Sequence, residues 1–182
     1  MEMDENKVKA AKEMAEYNFF HGLTCCESVY EALHRSGVIG QPEIPHTSCA
    51  MCAGFGGGIG QSGLTCGALS GAVMAVGASH GNRNLHPDDD DLTYAMEPLR
   101  YNNLVRDFQQ SAGSALCKEI TRDYRQCFTT PERKAFCANI VTMATELACQ
   151  YIAMSKEEVK SLTYWFNVAG QGQASPTEEQ EK

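Results

Sequence analysis

Cysteine is the residue type in this chain with the clearest chemical potential, because nine cysteines occur among 182 residues. The N-terminal segment has no apolar stretch of signal-peptide length, so the sequence predicts a cytoplasmic protein. Disulfides seldom persist in a reducing cytosol, and a cysteine-rich cytosolic chain is typical of metal binding or redox chemistry. An odd number of cysteines also argues against a simple set of structural bridges.

Two of the cysteines share a local context. Cys25 follows Thr24 and Cys66 follows Thr65, and each threonine is a candidate N-cap. Both cysteines are therefore predicted in the first turn of a helix, where free backbone N–H groups and the dipole stabilise a thiolate and lower its pKa. On this ground Cys25, Cys66 and the adjacent Cys26 are the candidate redox thiols.

The other cysteines form no compact ligand motif. Cys49 and Cys52 make a C-x-x-C, which suits a redox disulfide or half of a metal site. No second C-x-x-C follows for a zinc ribbon, and Ala53 stands where a haem-attachment motif needs histidine. The remaining four could converge only through the tertiary fold, and each alone could be a small buried hydrophobe. They are Cys117, Cys127, Cys137 and Cys149.

A glycine-rich loop, residues 54–60, precedes Cys66. Such a loop before a helix can hold phosphate, but no strand precedes it and no Gly-Lys-Ser/Thr follows. We expect Gly57, Gly58 and Gly67 instead to lie at a cofactor, either donating N–H groups to cluster sulfurs or allowing tight packing.

The elements that must position these residues are predicted to be helices, in an all-α bundle of five to seven. One helix covers 4–20, and a Thr24–Glu27 capping box opens another that ends near Gly37. A third covers 65–79 and presents a small-residue face around Gly71. A further helix is predicted to start at Pro87 with Asp88 to Asp91, and another carries Leu104 through Cys117 to Ile120. The next helix is predicted to start at Thr130-Pro131. A Ser155 capping box opens the last helix, which runs to about Val168.

Composition bounds the class of protein. The chain is 43% hydrophobic, which predicts one folded domain over 1–169 with a polar flexible tail over 170–182. Its net charge of −8 disfavours nucleic-acid or anionic-membrane binding. The apolar run 64–79 is shorter than the ~20 residues of a spanning helix. The small-residue face could pack within one subunit or form a homodimer.

The cysteines in order resemble the C-GCAxxG-C-C family of redox-active proteins, whose members share four cysteines and a CGAxxG motif. That motif is Cys66-Gly67-Ala68-Leu69-Ser70-Gly71, after the glycine-rich run. Cys25, Cys117 and Cys137 are similar to the first, third and fourth family cysteines, and the resemblance covers about residues 16–150.

The resemblance implies a redox role, and a similar domain in split-Soret cytochrome c has been linked to an iron–sulfur cluster. A [2Fe–2S] site on Cys25, Cys66, Cys117 and Cys137 is therefore the leading expectation, with electron transfer or redox sensing as its use. A metal-free thiol–disulfide oxidoreductase and a structural zinc protein with the same ligands stay open. The sequence names no redox partner protein.

Overall fold

The computed structural model describes residues 4–39, 49–81, 93–124 and 129–165. These ranges contain α-helices and short 3-10 helices and no named strand, which confirms the predicted all-α bundle. The α-helices are α1 Glu5–Phe20, α2 Cys25–Arg35, α3 Gly67–His80, α4 Thr93–Ala112, α5 Cys117–Ile120, α6 Pro131–Ala153 and α7 Lys156–Ser161. The 3-10 helices are Cys49–Phe55 and Arg122–Tyr124.

Helix starts follow the capping signals in the sequence. The Thr24 hydroxyl accepts a hydrogen bond from the Glu27 backbone N–H, and the Glu27 carboxylate accepts one from the Thr24 N–H. Ser155 and Glu158 make the same reciprocal pair at α7. Thr130 caps α6 with Pro131 at its first position. These side chains satisfy backbone donors that a helix start leaves free, which is why the predicted starts are confirmed.

Two predicted helix ends were wrong. The helix through Leu104 was expected to continue to Ile120, but it ends at Ala112 because Gly113 takes a left-handed conformation with φ +80°. Cys117 then begins the separate short helix α5. The last helix was expected to reach about Val168, but α7 ends at Ser161. The predicted start at Pro87 and the tail 170–182 lie outside the described residues.

Helix α6 is the centre of the bundle and packs against α1, α2, α3 and α4. Its fully buried residues are mostly small, and α1 likewise buries Ala11 and Ala15. Helices α2 and α3 also pack closely against each other. A Cβ added at Gly71 would lie 2.6 Å from the Cys26 carbonyl oxygen, so only glycine allows this approach. The predicted small-residue face of α3 therefore packs within the chain, against α2.

The far end of α6 is fixed by buried polar side chains. The Arg100 guanidinium donates to the carbonyl oxygens of Tyr151 (2.5 Å) and Met154 (3.1 Å), which lie at the helix C-terminus. The Tyr151 hydroxyl donates to the Asp107 carboxylate at 2.6 Å. These bonds satisfy carbonyls that a helix end leaves free and attach α4 to α6.

None of the described helices has the length and apolar character needed to cross a membrane.

Candidate functional site

The starts of α2 and α3 bring the first two family-like cysteines together. Cys25 is the first residue of α2, and Cys66 is the N-cap of α3. Gly67 makes the approach possible, because a Cβ there would lie 2.7 Å from the Phe55 carbonyl oxygen and 3.0 Å from the Cys25 sulfur. The glycine after Cys66 therefore serves tight packing beside Cys25, one of the two roles expected for it.

The predicted cap of α3 was wrong by one residue. Thr65 was expected to cap the helix, but it pairs with Leu116 in an isolated antiparallel bridge and is held in extended backbone. Cys66 takes the N-cap position in its place.

That backbone pairing also brings Cys117 to the site. The Cys66 N–H donates to the Ala115 carbonyl at 2.8 Å, and the Cys117 N–H donates to the Leu64 carbonyl at 2.7 Å. The segments that carry the second and third cysteines are therefore hydrogen-bonded to each other, although about fifty residues separate them. No alternating strand pattern marks either segment, so no local sequence signal predicts this contact.

The glycine-rich loop closes over Cys117 in an unusual backbone conformation. Residues 57–61 all have positive φ, between +59° and +75°, and this run includes the β-branched Ile59 at +59°. Gly58 is buried, and a Cβ there would lie 2.7 Å from the Leu64 backbone and 2.8 Å from the Cys117 Cβ. A β-branched residue with positive φ is strained, and such strain clusters at functional sites.

A cavity of about 470 Å³ lies between this loop, the start of α2 and the start of α6. Cys25, Cys117 and Cys137 are on its wall, together with Gly57 and Arg133. Cys66 lies beside Cys25, behind Gly67, and negative charge on Cys25 or Cys117 would raise its pKa. We call Cys25, Cys66, Cys117 and Cys137 the four-cysteine site.

Burial governs the protonation of these thiols. It raises the pKa of Cys66 to about 12, and the backbone N–H groups of Ala68 and Leu69 lower that pKa only in part. Burial also raises the pKa of Cys137, to about 11. The predicted low pKa of Cys66 was therefore wrong, because desolvation of the thiolate outweighs the helix N-terminus. The same expectation for Cys25 stays a prediction.

Arg133 is the charged residue that the sequence analysis missed. It is buried on α6, one turn before Cys137. Burial raises the pKa of Cys117 and of Cys137, while the charge and hydrogen bonding of the Arg133 guanidinium lower both. Its spacing of four residues from Cys137 on one helix face was the available signal. A buried cation at this place favours anionic sulfur.

The five other cysteines lie apart from this cavity or outside the described ranges. Cys26 and Cys52 are fully buried on the opposite side of α2's first turn, where the sulfur of each lies 3.9 Å from the Met74 sulfur. Interaction with the Cys52 thiol, together with burial, raises the pKa of Cys26. Cys49 is half-buried on the same 3-10 helix as Cys52, and Cys149 is buried on α6. Cys127 lies outside the described residues.

The geometry also separates the candidate redox thiols. Cys25 faces the cavity, whereas its neighbour Cys26 faces the core, so only Cys25 joins the four-cysteine site. No group of three or more His, Cys, Asp or Glu side chains in the described ranges is arranged to hold a metal ion.

Most of the chain matches one known protein family. Residues 23–151 match the model of the family described as "Putative redox-active protein (C_GCAxxG_C_C)". The chain belongs to this family, which confirms the resemblance seen in the sequence. No curated protein and no solved structure matches the chain significantly.

Proposed function

We propose that the four-cysteine site binds a [2Fe–2S] cluster and that the protein uses it for electron transfer or redox sensing. The observation that supports this most is the shared cavity, on which cysteines from α2, α5 and α6 lie with the N-cap of α3 beside them. Four thiolates are the usual ligands of such a cluster, which when bound accepts and releases single electrons.

The chain's own residues fit this group in three respects. The cavity of about 470 Å³ has room for more than a bare ion. Arg133 offsets the negative charge of several thiolates, and the loop around Gly58 covers Cys117. Because the described cysteines are not already arranged around an ion, the thiols would turn about their side-chain bonds into the cavity on binding.

The raised pKa values favour metal binding over thiol exchange at this site. A thiol with a pKa of about 12, as at Cys66, holds its proton at neutral pH and is a poor nucleophile. These thiols would release their protons to solvent on binding an iron centre, because the positive charge of the iron would stabilise the thiolates directly. A metal-free thiol–disulfide oxidoreductase at this site is therefore less well supported, although the family as a whole is described as redox-active.

The test is anaerobic purification of the full chain after expression with iron and a sulfide source. We expect visible sulfur-to-iron absorption with stoichiometric iron and sulfide, and its loss in Cys117→Ser. Cys149→Ser is the matched control, since Cys149 is also buried but lies on α6 away from the cavity. It should retain the absorption.

Two outcomes would contradict the proposal. A colourless protein that carries a single zinc ion through the same cysteines would identify a structural zinc site. A metal-free protein whose thiols cycle with a dithiol reductant would identify the oxidoreductase.

A further inference from the structure

We infer that the chain has a second sulfur site, formed by Cys26, Cys52 and Met74, that binds a soft monovalent cation of the copper(I) class. The Cys26 and Cys52 sulfurs each lie 3.9 Å from the Met74 thioether sulfur. The Cys26 and Cys52 thiols also influence each other's pKa, so the three sulfurs form one group around Met74. We call this group the sulfur triangle.

The spacing of the sulfur triangle suits one central ion. Metal–sulfur bonds to cysteine are about 2.3 Å long. Three sulfurs at that distance around an ion in their plane lie roughly 4 Å apart, since the separation is the bond length times the square root of three. The observed 3.9 Å contacts to Met74 match this geometry without backbone movement.

The donor types select the kind of ion. Two thiols and a thioether are soft ligands, which favour copper(I) over magnesium, calcium or manganese. Zinc prefers four ligands drawn from cysteine, histidine and carboxylate, and a methionine thioether is not among them. Cys26 and Cys52 are fully buried, which keeps water from the ion and protects its reduced state.

The same 3-10 helix provides a way in. Cys49 and Cys52 are three residues apart on it, and side chains at that spacing eclipse each other in a 3-10 helix. Cys49 is half-buried, whereas Cys52 is fully buried, so Cys49 offers an ion its first sulfur contact. On binding, sulfur–copper bonds form at Cys26 and Cys52, their two thiol protons pass to solvent, and the oxidation state of copper does not change.

This site is separate from the four-cysteine site and does not depend on the function proposed for it. Cys26 follows Cys25 directly, but adjacent residues of a helix face different directions. Here Cys25 lines the cavity, and Cys26 meets Met74 of α3.

The experiment uses the full chain with selenomethionine in place of methionine, loaded anaerobically with one equivalent of copper(I). X-ray absorption at the copper edge should show one selenium neighbour. Met74→Leu keeps the size of the side chain and should remove that neighbour. It should also weaken copper(I) binding roughly tenfold or more in competition with a chromophoric chelator, as loss of even a supporting partner does. Met143→Leu is the matched control, because Met143 also packs partly buried against the core.

A shell of sulfur alone in the wild-type protein would overturn the inference, because copper would then lie elsewhere. A selenium neighbour that persists in Met74→Leu would overturn it as well. Cys66→Ser tests independence: it should lose any iron–sulfur absorption and keep the copper–selenium contact. Failure of the cluster proposal therefore leaves this result unchanged.

Discussion

Two sulfur groups lie on either side of the first turn of α2, so that Cys25 belongs to the four-cysteine site and its neighbour Cys26 to the sulfur triangle. The four-cysteine site borders a cavity with the Arg133 guanidinium on its wall. The sulfur triangle lies in the core, where the side chains of Cys26 and Cys52 have no solvent exposure. One residue type thus meets two environments, of which the first offers room and positive charge and the second offers neither.

The difference shows that the surroundings of a cysteine decide its chemistry more than the cysteine itself. A cavity with a cation on its wall has room for a bulky anionic group and partly offsets the cost of burying thiolates. A dry triangle with a thioether favours one soft cation. Both sites depend on glycine contacts, since Gly67 and Gly71 let α2 and α3 approach at the level of Cys25 and Cys26.

Among the substitutions that test this comparison, Gly58→Ala is expected to have the largest effect. The new methyl group would lie within 3 Å of the Leu64 backbone and the Cys117 Cβ, at a φ of +75°. Overpacking and left-handed strain together should lower the free energy of unfolding by about 3 kcal/mol. Urea denaturation measures this change, and the folded fraction should lose any absorption of the proposed cluster while retaining the proposed copper–selenium contact.

Gly60→Ala is the matched control for that prediction. Gly60 has a similar φ of +59°, but no atom lies within 4 Å of its added Cβ. It should cost only about 1 kcal/mol, the price of left-handed backbone alone. Equal losses of unfolding free energy in the two variants would show that the close contact between Gly58 and Cys117 does not affect stability.

The sequence allowed the helical elements of the fold to be predicted well, because their signals are local. Thr24, Thr130 and Ser155 cap helices with partners three residues away, and such patterns are legible in one chain. The small-residue face of α3 was legible for the same reason. The end of α4 was missed because the apolar spacing continues past Gly113, whose left-handed backbone ends the helix.

The site was less predictable because its contacts are distant in sequence. The pairing of Thr65 with Leu116, which joins the segments that carry Cys66 and Cys117, has no local pattern. The four cysteines could be singled out only through the family motif. The pKa of Cys66 was predicted in the wrong direction because burial, which sequence does not give, outweighs the helix N-terminus. Met74 was not considered as a partner for Cys26 or Cys52.

A thiol that belongs to neither site sharpens the comparison through the pH dependence of stability. Burial raises the pKa of Cys149 from 9.0 to about 12. Between these pH values the Cys149 thiol loses its proton in the unfolded chain and keeps it in the folded chain. The unfolded state is thereby stabilised, so the free energy of unfolding falls as pH rises. Cys149→Ala should remove about 2 kcal/mol of that alkaline loss by about pH 11, measured as the difference in urea-unfolding free energy between neutral and alkaline pH.

Only the pH-dependent part of stability tests that prediction, since the lost side chain lowers stability at every pH. Cys49→Ala is a suitable control, because Cys49 is only half-buried in the folded state and its exposure therefore changes less on unfolding. Parallel pH profiles for wild type and Cys149→Ala would show that Cys149 does not titrate differently in the two states.

The smallest effect concerns the charge that distinguishes the two sulfur groups. Arg133→Gln removes the guanidinium beside Cys117 and Cys137 while keeping a polar side chain of similar length. If the proposed cluster is bound there, reduction adds negative charge that Arg133 no longer offsets, so the midpoint potential should fall. A partly screened charge is worth about 1 kcal/mol, which for one electron is on the order of 50 mV.

Arg133→Lys separates charge from shape in a redox titration of the same protein. Lysine keeps the positive charge but lacks the planar fork of arginine, so most of the potential should return. Lys134→Gln controls for charge outside the sulfur contacts, because Lys134 also lines the cavity but donates to the Phe20 carbonyl. An unchanged potential in Arg133→Gln would mean that the redox group does not sit against α6, and the four-cysteine site would then lose the feature that separates it from the sulfur triangle.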